Sequence, residues 1–159
     1  MLTTDWTIRQ SQANMYTKTF EQLTKNELYA LAKLRQQVFI IEQNSIYADL
    51  DDNDQTAMHY LDFDQQDNLI VYARYRKISQ LDEVKIERVV LAKKVRGRGL
   101  GKSLLVTIIK DIQGAHPLAK ITLSSQIDAS EFYQRLGFVE VGEAYDDGGI
   151  MHIGMVYMP

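Results

Sequence analysis

Apolar residues recur with a helical period in the first third of the chain. Just before them, TKNE (24–27) matches a capping box, in which the threonine hydroxyl accepts from the third helical N–H and the glutamate reaches back to the cap. The spacing predicts an amphipathic helix that runs to about Glu42 and buries one stripe of side chains. That stripe consists of Leu28, Leu31, Leu34, Val38 and Ile41.

From Met58 onward the period shortens to two, which is typical of strands with one buried face. MHYLDFD (58–64) and LIVYARYRKI (69–78) flank the turn-forming QQDN and predict a hairpin. VKIERVVLA (84–92) predicts a third strand after a further polar turn.

The second half of the chain returns to helices and strands in alternation. The glycine-rich RGRGLGKSLL (96–105) leads into apolar residues at helical spacing, which predict a helix that ends near Gly114 and Pro117. KITLSS then predicts a strand, and a second capping box, DASE (128–131), predicts a helix that ends at Gly137. FVEVGEAY and MHIGMVYM predict two closing strands around the turn DDGG.

The predicted element order, βαβββαβαββ, favours an α/β (α+β) fold with a mixed, mostly antiparallel central sheet flanked by helices. A chain of 159 residues fits a single domain, 1–159. The polar residues 1–14 lack the apolar core of a signal peptide and predict a loose arm or a first edge element. No apolar run approaches the ~20 residues of a membrane span, so we expect a cytoplasmic protein without a membrane partner.

Composition and charge exclude several kinds of chemistry. The chain has no cysteine, which excludes disulfides, thiolate metal sites and cysteine nucleophiles. Its net charge of −3 argues against a nucleic-acid binder. The charge is unevenly placed, because DLDDND (49–54) is acidic while KKVRGRGLGK (93–102) carries five cations.

The glycine-rich stretch resembles a phosphate-binding loop, but it fails two common patterns. A Walker A loop ending at Lys102 would need glycine where Arg96 stands. The dinucleotide fingerprint G-x-G-x-x-G is not met by Gly97, Gly99 and Gly101, which alternate.

A third pattern, Arg-x-x-Gly-x-Gly (96–101), fits a pyrophosphate better. Glycines let the backbone approach a phosphate, and the following helix offers free N–H groups and a partial positive charge. The side chains of Arg96, Arg98 and Lys102 would add cationic support. Taken alone, the stretch is equally well explained as a tight turn with solvated cations.

Read together, VVLAKKVRGRGLGKSLL (89–105) and SSQIDASEFYQRLGF (124–138) resemble the two signature regions of the GNAT superfamily of acyl-CoA-dependent acyltransferases. LYALAKLRQQVFIIEQNSIYADLDDND (28–54) and GGIMHIGM (148–155) resemble the ElaA family of small bacterial GNAT proteins. The resemblance covers most of the chain from about Phe20 onward. It implies the GNAT fold and acetyl-CoA as cosubstrate, and it leaves the acceptor open.

The resemblance also implies which residues hold the cosubstrate. Val89, Val90 and Leu91 would contact the pantetheine arm, and the loop residues Gly97, Arg98, Gly99, Leu100, Gly101 and Lys102 would hold the pyrophosphate. Gln126 stands where the superfamily commonly has an asparagine, which puts its pantetheine contact in question. Tyr133 matches the position of a tyrosine near the coenzyme sulfur.

Acyl transfer to an amine needs an oxyanion donor, a proton donor for the thiolate and a neutral amine. A backbone N–H near Leu91 suits the first role, and the phenol of Tyr133 suits the second, although an aromatic packing role would also explain this tyrosine. Candidate bases are Glu42 and His152, with His59 and Glu87 as further candidates. A water relay without a dedicated base stays open.

The acidic loop DLDDND leaves two interpretations. It lacks the glycine and the closing glutamate of a calcium-binding EF-hand loop, so we expect no metal site. It would then be a solvated loop, or a negative rim that attracts a cationic amine through Asp49 and Asp51.

These observations predict an N-acetyltransferase that moves an acetyl group from acetyl-CoA to a primary amine by direct nucleophilic attack. The acceptor would be a small amine or a peptide or protein amine, and a homodimer is left open as the assembly. The alternative from another class is a non-catalytic acyl-CoA-binding or regulatory module.

Overall fold

Strands and helices follow one another in the predicted order in the computed structural model, which describes residues 15–78 and 80–159. The expectation for residues 1–14 lies outside these ranges. In the described chain, seven strands form one sheet in the order β1-β2-β3-β4-β5-β7-β6. Their bounds are β1 Tyr16–Thr19, β2 Met58–Phe63, β3 Leu69–Ile78, β4 Glu83–Leu91, β5 Lys120–Gln126, β6 Phe138–Asp147 and β7 Ile150–Tyr157. All neighbouring pairs are antiparallel except β4 and β5, which confirms a mixed, mostly antiparallel sheet.

The first helix differs from the prediction in its second half. The α-helix α1 covers Lys25–Arg35 and begins with the predicted capping box, since Glu27 N–H donates to Thr24 Oγ1 and Thr24 N–H donates to Glu27. It continues as a π-helix over Gln36–Glu42, where Gln43 N–H donates to the Val38 carbonyl five residues back. Because a π-turn shifts the side chains out of the α-helical register, Ile41 is more than half exposed.

The buried stripe of this helix also contains a charged residue that the apolar pattern did not include. Leu31, Leu34 and Val38 are buried as predicted, and Arg35 is fully buried beside them. Leu28, at the solvent edge, is partly exposed. The stripe therefore brings a guanidinium into the interior.

The other two helices lie after β4 and β5. Helix α2 spans Leu100–Ala115, ends near Gly114 as predicted and buries Leu104, Ile108 and Ile112. Helix α3 spans only Ser130–Gln134, and the second predicted capping box is wrong. Residues 127–129 form a 3₁₀ turn, and Ala129, not Asp128, is the N-cap, with no side-chain hydrogen bond.

The sheet separates two apolar cores. On one face, α2 and α3 pack on Tyr60, Val71, Ile86 and their neighbours. On the other face, α1 and the π-helix pack on Leu61, Tyr72 and Val90. Alternate residues of β2 and β3 thus point to opposite cores, as expected for a sheet covered on both sides.

The parallel pair β4–β5 opens the sheet at its centre. The two strands pair from Glu83 opposite Lys120 to Ile86 opposite Leu123. Beyond this point each strand follows its other neighbour: β4 stays with β3 up to Leu91, and β5 stays with β7 up to Gln126. A cleft therefore lies between the carboxyl ends of the two parallel strands.

Candidate active site

The cleft between β4 and β5 is a cavity of about 640 Å³. A bulge in β4 creates it. Tyr72 pairs with Val90 and Arg74 pairs with Glu87, so two β4 residues, Arg88 and Val89, lie opposite the single β3 residue Ala73. A bulge bends its strand and increases the local twist, which turns β4 away from β5.

The three residues predicted to contact pantetheine lie on the part of β4 that faces the cleft. Val89, Val90 and Leu91 all line the cavity. They lie beyond the last β4–β5 pair, so this edge has no strand partner on the β5 side. An extended ligand with amide groups can pair with such an edge as an added strand would.

The loop predicted to hold the pyrophosphate, residues 97–102, closes one end of the cleft and is called the phosphate loop below. Gly97 and Gly99 have φ values of +77° and +79°, and a Cβ at either position would meet no atom within 4 Å. The glycines are therefore needed for the backbone conformation, and the space above them is open to a ligand. Gly99 is the N-cap of the sixteen-residue helix α2, whose first N–H groups have no carbonyl partner within the helix.

Gly101 has a different role from the other two loop glycines. A Cβ there would lie 3.4 Å from the Phe132 ring and 3.8 Å from Leu91, so the small residue lets α2 approach α3 and the end of β4. Leu100, Gly101 and Lys102 line the cavity, whereas Arg98 is not among its lining residues.

Arg96 and Glu42, predicted to bind phosphate and to act as a base, are brought together as an ion pair. Arg96 Nη2 donates to Glu42 Oε2 at 3.0 Å, Nη1 donates to Oε1, and Nε donates to the Leu91 carbonyl at 3.1 Å. Arg96 thus joins the phosphate loop to the end of β4 and to the π-helix. Its hydrogen bond lowers the pKa of the Glu42 carboxyl, and Glu42 does not line the cavity.

Tyr133 lines the cavity from α3 and is buried to nine-tenths. Its ring packs edge-on against Phe132 and Phe138, so the aromatic packing role is also present. Burial raises the pKa of the phenol to about 12, which keeps Tyr133 protonated at neutral pH. A protonated phenol at this position can donate a hydrogen bond or a proton to a group in the cleft.

Gln126 lies at the end of β5 and lines the cavity. Its side-chain Nε2 donates to Gln43 Oε1 at 2.9 Å, which links β5 to the residue that follows the π-helix. The amide therefore bridges the two sides of the cleft.

His152 lies opposite Gln126 on β7 and also lines the cavity. Its Nδ1 lies 2.7 Å from the Ile150 carbonyl, which makes Nδ1 the protonated nitrogen and leaves Nε2 with a lone pair. The ring stacks on Tyr145, whose hydroxyl contacts Ser124. This arrangement holds the imidazole in one orientation.

The other histidine candidate lies elsewhere. His59 is fully buried, and its two ring nitrogens contact the Tyr72 hydroxyl and the Asp54 carbonyl at 2.7 and 2.8 Å. Burial is the main cause that lowers its pKa. His59 is absent from the residues that line the cavity, and its contacts are those of a structural residue.

Of the four aspartates in the acidic loop only Asp52 is exposed, and the other three bind arginines, so the loop is neither a solvated loop nor a free negative rim and both interpretations from the sequence are wrong. Asp49 and Asp54 are buried, and their carboxylates bind Arg35 at 2.8 and 2.7 Å. Asp51 and Asp54 bind Arg74, which is fully buried, at 2.6 Å each. The physical reason is that two buried guanidinium groups need carboxylate partners.

Arg35 and Arg74 are the residues that sequence reasoning missed. A signal was present in each case, because Arg35 occupies an apolar-stripe position one turn after Leu31, and Arg74 lies between Ala73 and Tyr75 in a strand buried on both faces. A charged residue at such a position requires a partner of opposite charge, and the aspartates of residues 49–54 provide carboxylates for both arginines.

Glu87 lines the cavity next to the bulge but is already bound by two arginines. Arg74 and Arg76 donate to its carboxylate at 2.8–3.0 Å. Burial alone would raise the pKa of Glu87, but the hydrogen bonds and charges of these arginines outweigh burial and lower it. Glu87 is therefore a poor proton acceptor.

Comparison with known proteins decides the family. A model of the acetyltransferase (GNAT) domain matches residues 17–158. The chain belongs to the GNAT acetyltransferase family. It is 37% identical to protein ElaA of Escherichia coli over 137 residues, which cover 84% of this chain and 89% of ElaA.

Solved structures agree with this GNAT assignment. The crystal structure of E. coli ElaA matches with a TM-score of 0.85 at 34% identity, over 91% of this chain and 98% of that one. An acyl-CoA N-acyltransferase from Pseudomonas aeruginosa matches with a TM-score of 0.85 at 33% identity, over the same shares. The resemblance to ElaA and the predicted GNAT fold are confirmed, and the chain is an acyltransferase of a family that transfers acetyl groups from acyl-CoA.

Two further findings concern the described part of this GNAT domain. None of its helices combines the length and the hydrophobicity that a membrane crossing requires. Within residues 15–78 and 80–159, no three His, Asp or Glu side chains converge in a way that would hold a metal ion.

Proposed function

We propose that this GNAT protein transfers the acetyl group of acetyl-CoA to a primary amine by direct attack, without a covalent enzyme intermediate. The observation that supports this most is the cleft, which joins an unpaired strand edge to a glycine loop at a helix N-terminus. An extended amide-containing arm and a pyrophosphate need these two features side by side.

The residues present fit coenzyme A. Open space above Gly97 and Gly99 leaves room for phosphate oxygens near the first amides of α2. Lys102, in the first turn of that helix, adds a positive charge on the cavity wall. The edge of residues 89–91 offers N–H and C=O groups to the amides of the pantetheine arm.

Acetyl-CoA supplies the thioester carbonyl that the amine attacks. A backbone N–H of the 89–91 edge stabilises the negative charge that develops on the carbonyl oxygen. The phenol of Tyr133, protonated at neutral pH, donates a proton to the departing thiolate sulfur.

Of the two predicted bases, His152 fits the reaction better than Glu42. Its Nε2 carries the lone pair and its ring lines the cleft, so it can accept a proton from the attacking amine directly or through one water. The carboxylate of Glu42 is occupied by Arg96, and its lowered pKa makes it a weak base. We assign Glu42 to holding the phosphate loop.

The acceptor side of the cleft contains aromatic and polar groups. Tyr47, Tyr145 and His152 line it together with Ser45 and Asp147. The acceptor is a small amine or a peptide or protein amine, met in the cytoplasm. No metal takes part in this scheme.

A thiol-release assay over a panel of amines, each tested with acetyl-CoA and the purified protein, tests the proposal. We expect CoA release that depends on at least one primary amine. A non-catalytic acyl-CoA-binding module would instead bind acetyl-CoA in a thermal-shift assay and release no CoA with any amine. That result would overturn the proposed catalysis but not the cleft as a binding site.

A further inference from the structure

Arg88 has a backbone conformation that is unusual for a strand residue. It forms the bulge of β4 together with Val89, and its φ is +57°. The other non-glycine residues with positive φ in the described ranges are Asn44, Asp52, Asp67 and Gln80, all outside the strands. A left-handed conformation is sterically unfavourable for a residue with a Cβ, so other contacts of Arg88 must stabilise it here.

The side chain of Arg88 is bound on several sides by the acidic loop. Its Nη2 donates to the Asp49 carbonyl at 3.0 Å and to Asp51 Oδ2 at 3.2 Å. Its Nε lies 2.9 Å from Asp49 Oδ1, and the guanidinium lies 5.6 Å from the centre of the Tyr47 ring. These contacts hold the side chain of the bulge residue against one loop.

That loop is itself held by the interior of the protein. Asp51 accepts from both terminal nitrogens of Arg74, at 2.9 and 2.6 Å. Arg74 also binds Glu87, the residue just before the bulge, at 2.8 Å. Glu87 and Arg88 are thus joined to the same buried charges through Arg74 and Asp51.

We propose that Arg88 and Asp51 are positioning residues for acyl transfer, which act by holding the β4 bulge in the shape that keeps the 89–91 edge open to acyl-CoA. We call Asp51, Arg74, Glu87 and Arg88 the bulge clamp. This inference rests on the proposed function, because it assigns the clamp to that same cleft. The acidic loop then acts through β4 and not as a binding surface for the acceptor.

The test compares three single variants that remove the clamp in different ways. Arg88→Gly removes the side chain, and glycine adopts positive φ freely. Arg88→Ala removes the same interactions but keeps a Cβ, so the left-handed backbone stays sterically unfavourable. Asp51→Asn removes the charge that links Arg88 to Arg74 and does not line the cavity. The control is Asp52→Asn, which removes one charge from the same loop at an exposed position.

Two measurements are made below the unfolding temperature of every variant: the Kd of CoA, and hydrogen exchange of the amides of residues 87–92. We expect Asp51→Asn and Arg88→Gly to weaken CoA binding at least fivefold, with Arg88→Ala weaker still and Asp52→Asn unchanged. Exchange at residues 87–92 should accelerate in the clamp variants, while exchange in α2 stays as in the wild type. A general loss of stability would accelerate both.

The double variant Asp51→Asn/Arg88→Gly decides between a clamp and a direct contact. If the two residues act together, the double variant binds CoA no more weakly than Arg88→Gly alone. The proposal is overturned if folded Asp51→Asn keeps the wild-type Kd and exchange rates. If the wild type itself binds no CoA, the proposed function fails, and the exchange data still show whether the clamp holds the bulge.

Discussion

At the scale of single residues, Tyr133 combines two roles that the sequence could not separate. Its ring packs between Phe132 and Phe138, and it also lines the cleft. Tyr133→Phe keeps the packing and removes only the hydroxyl, which is the proposed proton donor. We expect kcat to fall roughly 100-fold with the CoA Kd unchanged, because a positioned general acid contributes about 10²–10⁴-fold. Steady-state thiol release and calorimetric CoA binding measure the two quantities.

The pH profile adds a check on this tyrosine. Since burial raises the pKa of Tyr133 to about 12, the phenol stays protonated throughout the neutral range. Tyr133→Phe should therefore lower the rate by the same factor at every pH between about 6 and 9. A variant with wild-type kcat would assign the tyrosine to packing alone.

His152 and Glu42 give opposite expectations. His152→Gln removes the free Nε2 from the cleft, so kcat should fall by about 10²-fold. Glu42→Gln releases Arg96 from its ion pair, so the KM for acetyl-CoA should rise while kcat changes little. Initial rates over a range of pH measure both variants. A reversal of the two patterns would make Glu42 the base.

At the scale of elements, the phosphate loop depends on the left-handed backbone of its glycines. A Cβ at position 99 would meet no atom within 4 Å, so Gly99→Ala destabilises the loop only through its left-handed backbone, by about 1–2 kcal/mol. Because about 1.4 kcal/mol corresponds to a tenfold change in an equilibrium constant, we expect CoA affinity to fall roughly tenfold as the first amides of α2 lose their orientation.

Gly114→Ala is the matched control in the last turn of the same helix. Gly114 has no positive φ and open space around it, so alanine should stabilise the protein by about 0.4–1 kcal/mol. Thermal unfolding and CoA titration of both variants check these expectations. Equal CoA affinity in Gly99→Ala would mean that the loop amides do not hold the phosphates.

Some of the elements could be predicted from the sequence and others could not. The order of the elements along the chain, the glycine loop and the residues along β4 followed from local periodicity and from the family resemblance. The π-helix did not, since seven residues are too few for a period to be distinguished from that of an α-helix. The partners of Arg35 and Arg74 lie 13 to 23 residues away, and no local pattern specifies which carboxylate each guanidinium meets.

At the scale of the whole molecule, the buried ion pairs join elements that lie far apart along the chain. Arg35 belongs to α1, Arg74 to β3, and Asp54 lies 2.7 and 2.6 Å from them. Removal of one partner leaves buried positive charge uncompensated, which typically costs about 3–5 kcal/mol. Since both arginines keep other carboxylates, we expect Asp54→Asn to reduce the free energy of unfolding at pH 7 by about 3 kcal/mol.

The same carboxylates make stability depend on pH. Burial would raise the pKa of Asp54, but the hydrogen bonds and charges of Arg35 and Arg74 outweigh it and lower the pKa, and Asp51 and Glu87 are shifted in the same direction. A lowered pKa in the folded state stabilises the protein above the unfolded value, about 4, and this contribution is lost as pH falls through the folded value. Urea unfolding from pH 7 to pH 3 should therefore show a steep loss below about pH 4, and Asp54→Asn should reduce its slope. Asp52→Asn should keep the wild-type slope, and an unchanged slope in Asp54→Asn would mean that the buried ion pairs do not control acid stability.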